Sequence, residues 1–373
     1  MDKTAAGKQS HGKEIVFLLL VFAAGLACFL INNSTASDDL WLAILLFVVG
    51  LACLIKGGDW FVEGATVIAE KFGIPEILIG ATVVSIGTTL PEVMVSAQAA
   101  AKGSSAISYG NAIGSIICNT SLIAAITLAV KPAKVDRKPL GLPVIFFFTA
   151  AVFYAVNAYV FGSFSRVTGI ILLVTFTVYM IFVVGQAMKQ IKQDTGQTSE
   201  EHETSEEEEQ KEEKAPLPLY LAIVYLVFGA AIIAFGATLL VDNGTIIAHK
   251  MGVPESVIAL TFVALGTSLP ELVTAITSLV KGHGALSLGN IIGANLFNLV
   301  LVSGLAVTIR PFDVPAEKVI LGHNASLLVD IPLVFLVMLV LTLPAVFKGK
   351  LYRFQGIALL ILYACYMAAQ FIL

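Results

Sequence analysis

The chain has 373 residues, 57% hydrophobic and 13% charged, with a formal net charge of −4. Soluble globular domains carry about 25% charged residues, so the composition excludes a soluble domain and describes a polytopic membrane protein. Between Asp194 and Lys214 ten acids and two lysines leave a local balance of −8 and the rest of the chain at +4; no basic patch with interleaved aromatics occurs, which excludes nucleic acid as a partner.

Residues 1–13 are polar and weakly basic, and 14–31 form an apolar run long enough to span a bilayer. A polar stretch, Asn32-Asn33-Ser34-Thr35-Ala36-Ser37-Asp38-Asp39, follows. A basic start, an apolar run and a Ser-x-Ala step also describe a cleavable signal peptide. The run exceeds the usual ~7–15 residues of a signal core, which favours an uncleaved extra helix. Ten further spans are predicted at approximately 40–69, 75–101, 105–130, 140–161, 167–188, 218–247, 254–280, 284–309, 323–345 and 352–373. Breaks at Gly73-Ile74-Pro75, Lys102-Gly103, Lys131-Pro132, Gly252-Val253-Pro254 and Lys281-Gly282 set these boundaries. Residues 189–217 are rich in Glu, Lys and Gln and read as a solvated spacer. Cys28, Cys53, Cys118 and Cys365 all lie in apolar segments without a CxxC pair, so they read as small core residues.

One stretch occurs twice. Gly87-Thr88-Thr89-Leu90-Pro91-Glu92 returns as Gly266-Thr267-Ser268-Leu269-Pro270-Glu271, 179 residues later, and the offset holds without a gap across the flanks. Gly73-Ile74-Pro75-Glu76 meets Gly252-Val253-Pro254-Glu255, Gly110-Asn111-Ala112-Ile113-Gly114 meets Gly289-Asn290-Ile291-Ile292-Gly293, and Asn119 meets Asn298. The chain is two copies of one membrane unit, each with a Pro-Glu pair in an apolar span. A proline removes one donor from the helix ladder and frees a carbonyl one turn earlier, and in a bilayer such breaks survive where they line a protein cavity. Ser85 and Ala264 are candidates for those carbonyls. Glu92 and Glu271 lie beside them, with the hydroxyls of Thr88, Thr89, Thr267 and Ser268. An intramembrane carboxylate is costly and marks a functional site; carboxylate, hydroxyl and carbonyl together make an all-oxygen set suited to Ca²⁺ and Na⁺ and poor for zinc or copper. Asp59, Glu63 and Asp242 lie towards span ends, where an interfacial position is the plain reading and ion entry the sharper one. Gly110, Gly114, Gly289 and Gly293, four apart, suit close helix packing.

With the N-terminus inside, the inner segments hold 16 Lys and Arg and the outer segments five. By the positive-inside rule this puts the acidic linker in the cytoplasm and the C-terminus outside, in a cell (inner or plasma) membrane. Each half holds five spans, an odd number, so homologous halves insert in opposite directions, as in inverted-repeat transporters. The expected architecture is therefore an all-α polytopic membrane protein. Ten core transmembrane helices form two inverted five-helix repeats, 37–188 and 218–373, joined by the linker 189–217, with the hydrophobic segment 1–36 in front.

At these motifs the sequence resembles the calcium/cation antiporter superfamily, in its sodium/calcium exchanger branch of prokaryotic type. Both copies of Gly-Thr-Thr/Ser-Leu-Pro-Glu, each followed by Gly-Asn-x-x-Gly and then Asn, are present in order from about residue 40 to the C-terminus. The resemblance implies alternating access, with sliding of the first and sixth core helices, and exchange of Na⁺ for Ca²⁺. By motif position it implies ligands at Thr88, Thr89, Glu92, Ser115 and Asn119 in the first repeat and at Thr267, Ser268, Glu271 and Asn298 in the second. The carbonyls of Ser85 and Ala264 complete the set. Asn119 and Asn298 lie one turn past Ser115 and Ala294 and share their faces; Asn111 and Asn290 read as supporting residues. Two positions depart from the family pattern: Ala294 stands opposite Ser115, and Asn298 stands where several relatives, including potassium-dependent exchangers, carry Asp. Ca²⁺ and Na⁺ are then the transported ions, the bilayer is the surroundings, and no cofactor, enzyme activity or obligate protein partner is implied. A Ca²⁺/H⁺ exchanger of the same fold is the alternative, although the Gly-Asn-x-x-Glu motif usual in that branch is absent; a passive cation channel is a further one. Two ionised carboxylates without cations repel each other and lose hydration, so at least one is expected to take up a proton.

The basic asymmetry gives a direct test. Single cysteines at positions 134 and 350 in a cysteine-free background are expected to react with an impermeant reagent only from the cytoplasmic side, and one at position 250 only from outside. Labelling of all three from one side breaks the opposed insertion of the halves.

Overall fold

A computed structural model describes residues 39–71, 85–132, 137–197, 218–253, 255–258, 263–272, 275, 284–320 and 322–372, with the single residues 23, 27 and 30. The helices are α1 (Leu40–Lys71), α2 (Ser85–Lys102), α3 (105–130), α4 (137–161), α5 (Arg166–Gln197) and α6 (Leu219–Met251), then α7 (Glu255–Ile258), α8 (Ala264–Thr267), α9 (284–309), α10 (326–348) and α11 (Arg353–Ile372). Seven helices among the described residues are long and apolar enough to cross a membrane, and they lie within α1, α3, α4, α5, α6, α9 and α10. Each coincides with an expected span. The expected spans 75–101 and 254–280 are described only in part, as α2 and as α7, α8 and the helical residues 269–272 and 275. The break at Gly73-Ile74-Pro75, most of the N-terminal segment 1–36 and the acidic run 198–217 lie outside the described residues, apart from Ala23, Ala27 and Leu30, which are helical.

Two boundaries differ from expectation. α5 continues to Gln197, so the first nine residues of the expected spacer 189–217 are helical; Lys and Gln are good helix formers and nothing breaks the ladder before Gly196. α6 runs to Met251 and stops at Gly252, which takes φ +64. A left-handed residue at that position costs glycine nothing and any other residue strain.

Helices α1 and α6 cross closely through glycines. A Cβ at Gly50 would stand 3.0 Å from the Gly236 carbonyl oxygen, one at Gly236 2.7 Å from the Gly50 oxygen, and one at Gly57 2.9 Å from the Gly229 oxygen. Gly229 and Gly236 are Gly50 and Gly57 advanced by the 179-residue offset. The contacts Gly50–Gly236 and Gly57–Gly229 are therefore exchanged when the two repeats are exchanged. Close packing was expected at Gly110, Gly114, Gly289 and Gly293; a Cβ would meet nothing within 4 Å at Gly289 and only Ser85 Oγ at 3.7 Å at Gly293.

The main apolar core joins α3, α4, α5, α9, α10 and α11 around Ile113, Ile116, Phe147, Phe164, Phe297 and Val337. A second core, with Leu54, Val95, Ala99, Ile233, Leu240 and Val263, holds α1 and α6 against α2. At one end a two-stranded pair, β1 (Ser163–Phe164) with β2 (Phe312–Asp313), ties the loop after α4 to the loop after α9. Arg166 Nε donates to the Thr308 carbonyl (3.1 Å) at this end, Gly103 lies against the Arg310 guanidinium, and Lys102 forms an ion pair with Asp242. At the other end Arg353 donates to the Val130 carbonyl (3.1 Å). Cys53 and Cys118 are buried as expected, whereas Cys365 is exposed on the outward face of α11.

The α1–α6 crossing predicts its own mutant. Gly236→Val puts a branched side chain where a single Cβ is already too close, and overpacking of this kind costs about 1–3 kcal/mol. Insertion and expression are expected to persist while the thermal unfolding midpoint in detergent falls; an unchanged midpoint contradicts the crossing.

Candidate cation-binding site

The repeated motifs meet in the middle of the molecule, where α2, α3, α8 and α9 converge. α3 and α9 are not uniform helices. Each changes to a π-helical turn at the asparagine of its motif, Asn119–Ala124 in α3 and Asn298–Val302 in α9. Such turns insert one extra residue into the ladder, are uncommon, and concentrate at functional sites. Pro91 lies within a continuous α2. In the second repeat the chain instead leaves the helix at Ser268 (φ −86, ψ 5) and resumes at Leu269, so only one of the two expected breaks takes the form of a turn.

Glu92, Glu271, Thr89, Ser115, Asn119, Thr267, Ser268 and Asn298 are fully buried, and Thr88 and Ser85 nearly so. The carboxylates reach across the repeats. Glu92 Oε1 accepts from Ser268 Oγ (3.1 Å) of the second repeat and from Ser115 Oγ (3.5 Å) of its own. Glu271 faces the hydroxyls of Thr88 and Thr89 from the first repeat, and the two carboxylates act on one another. Each motif thus supplies an acid to the hydroxyls of the other.

Asn111 holds this arrangement. Its Nδ2 donates to the Glu92 carbonyl (3.1 Å) and to Ser96 Oγ (2.9 Å), and its Oδ1 accepts from Thr267 Oγ1 (3.0 Å). All its polar groups are used within the protein, which makes it a brace for the Glu92 backbone. Asn290 accepts from Ser85 Oγ (2.8 Å) in a comparable position. Three braces were not singled out from the sequence: Ser96 and Ser108, each bonded to the other's carbonyl, and Asn295, whose Nδ2 donates to Thr120 Oγ1 (2.7 Å). A polar residue in an apolar span was the available signal for all three.

The Ser85 and Ala264 carbonyls are not the ones the prolines release. The missing donor belongs four residues before each proline, to Gly87 and Gly266. Ala264 O accepts the Ser268 N–H (3.1 Å) and lies 3.3 Å from Thr267 Oγ1, and Ser85 O lies 3.3 Å from Thr88 Oγ1.

Twelve buried side-chain polar atoms among the described residues have no hydrogen-bond partner in the protein, and eight of them belong to Thr89, Glu92, Asn119, Glu271 and Asn298. Buried polar groups are ordinarily paired. Eight of the exceptions fall on five of the expected ligand residues. Among the described residues no three His, Cys, Asp or Glu side chains converge; the donors are two carboxylates and neutral oxygens, the set that hard cations take. Asp242 is paired with Lys102 at the end of the molecule, away from this set. Glu63 and Asp59 lie on α1, and their side chains are outside what the structure describes.

A helical membrane protein with two buried carboxylates at the junction of repeated motifs belongs to the class of cation exchangers. Comparison with known proteins gives the family. The model described as "Sodium/calcium exchanger protein" matches residues 42–185 and 221–372. The chain is 35% identical over 297 residues to the inner membrane protein YrbG of Escherichia coli, covering 78% of this chain and 87% of that one. It is 30% identical over 353 residues to the sodium/calcium exchanger MaX1 of Methanosarcina acetivorans, covering 88% and 98%. The solved structure of the sodium/calcium exchanger from Methanococcus jannaschii superposes with a TM-score of 0.56 at 30% identity, covering 88% of this chain and 99% of that one. The chain belongs to the sodium/calcium exchanger family, whose members are membrane transporters.

The brace generates a prediction. Asn111→Ala removes three hydrogen bonds, each worth about 0.5–1.5 kcal/mol, and frees the backbone that carries Glu92. Apparent Ca²⁺ affinity is expected to fall about tenfold, equivalent to 1.4 kcal/mol, with insertion intact. Wild-type affinity in this variant contradicts the bracing role.

Proposed function

We propose that the protein is a secondary active antiporter that exchanges Na⁺ for Ca²⁺ by alternating access. The cations are held in the middle of the bilayer by Glu92 and Glu271 with the side chains of Thr88, Thr89, Ser115, Asn119, Thr267, Ser268 and Asn298 and the carbonyls of Ser85 and Ala264. The observation that carries this reading is that Glu92 bonds to Ser268 and Glu271 faces Thr88 and Thr89 of the opposite repeat, beside eight unpartnered buried polar atoms. Ca²⁺ takes six to eight oxygens, and this set provides that number without a histidine or thiol. Relatives and solved structures whose names specify sodium/calcium exchange support Na⁺ as the counter-ion.

The architecture we propose is two inverted five-helix repeats with an extra N-terminal helix. The reciprocal glycine contacts of α1 and α6 support an axis passing between them. Residues grouped as outer by their charge, Lys102, Arg166 and Arg310, gather at one end of the molecule, and Arg353, grouped as inner, meets Val130 at the other. That grouping supports opposed insertion, a cytoplasmic linker, an external C-terminus and a cell-membrane location. α1 and α6, packed closely on one another and held to α2 by apolar contacts, are the pair proposed to slide past the site.

Charge sets the exchange. Two ionised carboxylates give the site −2, which one Ca²⁺ or two Na⁺ neutralise; a third Na⁺ leaves +1 in a low-dielectric cavity unless it sits apart. In proteoliposomes, uptake of radiolabelled Ca²⁺ is expected to require an opposing Na⁺ gradient. Uptake driven by a proton gradient alone identifies a Ca²⁺/H⁺ exchanger, and uptake without any counter-ion a channel. Glu92→Gln and Glu271→Gln are each expected to reduce flux to background while the protein still folds, and Asn298→Asp, which adds a third charge, to change the Na⁺ or K⁺ dependence. Wild-type flux in either Gln variant removes the site assignment.

A further inference from the structure

Outside the cation site the described residues hold a second intramembrane carboxylate, Asp330. It is 1% exposed and ends a π-helical turn, Ser326–Asp330, at the start of α10, the same irregularity that marks both asparagines of the cation site. Gln370 Nε2 on α11 donates to Asp330 Oδ1 (3.2 Å). The hydroxyls of Ser326 and Tyr366 face the same carboxyl, and Lys318 is the cation that acts on it. Tyr109 on α3 faces Asp330 and Ser326. Of the four unpartnered buried atoms that do not belong to the cation site, three are tyrosine hydroxyls, of Tyr109, Tyr154 and Tyr366, and two of these three border Asp330.

We infer that Asp330 is a proton-binding site, separate from the cation site, reached from the end of the molecule where Lys318 lies and coupled to α3 through Tyr109. The neighbours select a proton over a metal ion. Gln370 presents an N–H to the carboxyl, and the Lys318 ammonium stands at the same place, donating to the Ala369 and Gln370 carbonyls (2.9 and 2.8 Å) at the end of α11. A fixed amide donor and an ammonium repel a metal cation, whereas a proton needs only the carboxylate oxygen. The titratable groups that face Asp330 are Lys318, Tyr109 on α3 and Tyr366 on α11; Tyr154 and Tyr159 on α4 lie about Tyr109, and Tyr363 on α11 about Tyr366. Binding transfers one proton from the aqueous side to a carboxylate oxygen, with no other bond made or broken. As an anion Asp330 only accepts hydrogen bonds; as the neutral acid it also donates one, and the unpartnered Tyr109 and Tyr366 hydroxyls can receive it. The two forms therefore hold Tyr109 differently. Tyr109 lies two residues before Asn111, the brace of Glu92, so the proton changes how fast the cation site cycles without touching a cation.

This inference rests on the exchange reading, and the test separates the two. Proton competition at Glu92 and Glu271 is overcome by saturating Ca²⁺; protonation of Asp330 is not. In proteoliposomes at saturating Ca²⁺, maximal wild-type flux is expected to change severalfold across an external pH series. Asp330→Asn, isosteric with the neutral acid, is expected to hold the wild-type acid-side value throughout, and Asp330→Glu to keep a titration at a shifted midpoint. Independently of transport, pH-difference infrared spectra of the purified protein are expected to show a protonated-carboxyl carbonyl band that Asp330→Asn removes. A wild-type pH profile in Asp330→Asn, a wild-type pH dependence that vanishes at saturating Ca²⁺, or identical infrared difference spectra would each overturn the proton site. Absence of any gradient-driven Ca²⁺ flux in the wild type would instead defeat the exchange reading, and the infrared band would still decide Asp330.

Discussion

Two carboxylates held against each other inside a bilayer-spanning protein are the constraint around which this structure is arranged. Their mutual repulsion and lost hydration make the pair untenable as bare anions. What surrounds them reduces that cost only in part. Glu92 has two hydroxyl donors on one oxygen and none on the other, and neither oxygen of Glu271 has a formed hydrogen bond. A site left so incomplete by its own side chains is what the proposed binding of cations would complete.

The surrounding structure keeps that pair in place. π-helical turns at Asn119 and Asn298 widen the two long helices where they pass the acids, and Asn111 ties the Glu92 backbone to Thr267 of the other repeat. The duplication is not exact at the site. Ser115 serves Glu92, while Ala294 offers nothing equivalent to Glu271; the first motif crosses in a continuous helix and the second turns at Ser268. Asn295 bridges to Thr120 where the first repeat has Ile116. The two halves of the cavity are chemically unequal, and the family's missing hydroxyl and its Asp-to-Asn change both fall in the second repeat.

None of the expected ligand residues lies on α1 or α6. α1 and α6 meet through glycines whose backbones nearly touch, and they meet α2 through apolar side chains. The second core fills this surface with the side chains of Leu54, Val95, Leu240 and Val263. The ion pair of Lys102 with Asp242 lies at its margin, partly exposed, where salt bridges contribute about 0–1 kcal/mol. α3 and α9 lie in the larger core, whereas α1 and α6 belong to the second.

Much was legible in the sequence because duplication and hydropathy are one-dimensional. The spans follow from apolar length, the repeat from the 179-residue offset, and the two glutamates from the cost of a charge among apolar neighbours. The same cost applied to Asp330 flags it equally, but a lone acid near the predicted start of a span reads as interfacial until the fold buries it. The identity of the freed carbonyls and the place of close helix approach were misread for a related reason. Proline position gives the carbonyl that loses its donor, but which oxygens face a cavity depends on neighbouring helices. Glycine spacing allows close packing, yet the crossing of α1 with α6 decides that Gly50, Gly57 and Gly236 are among those pressed against a neighbouring helix. Which acid meets which hydroxyl belongs to the tertiary structure alone, since Glu92 and Ser268 stand 176 residues apart and no local pattern records a contact made across the repeats.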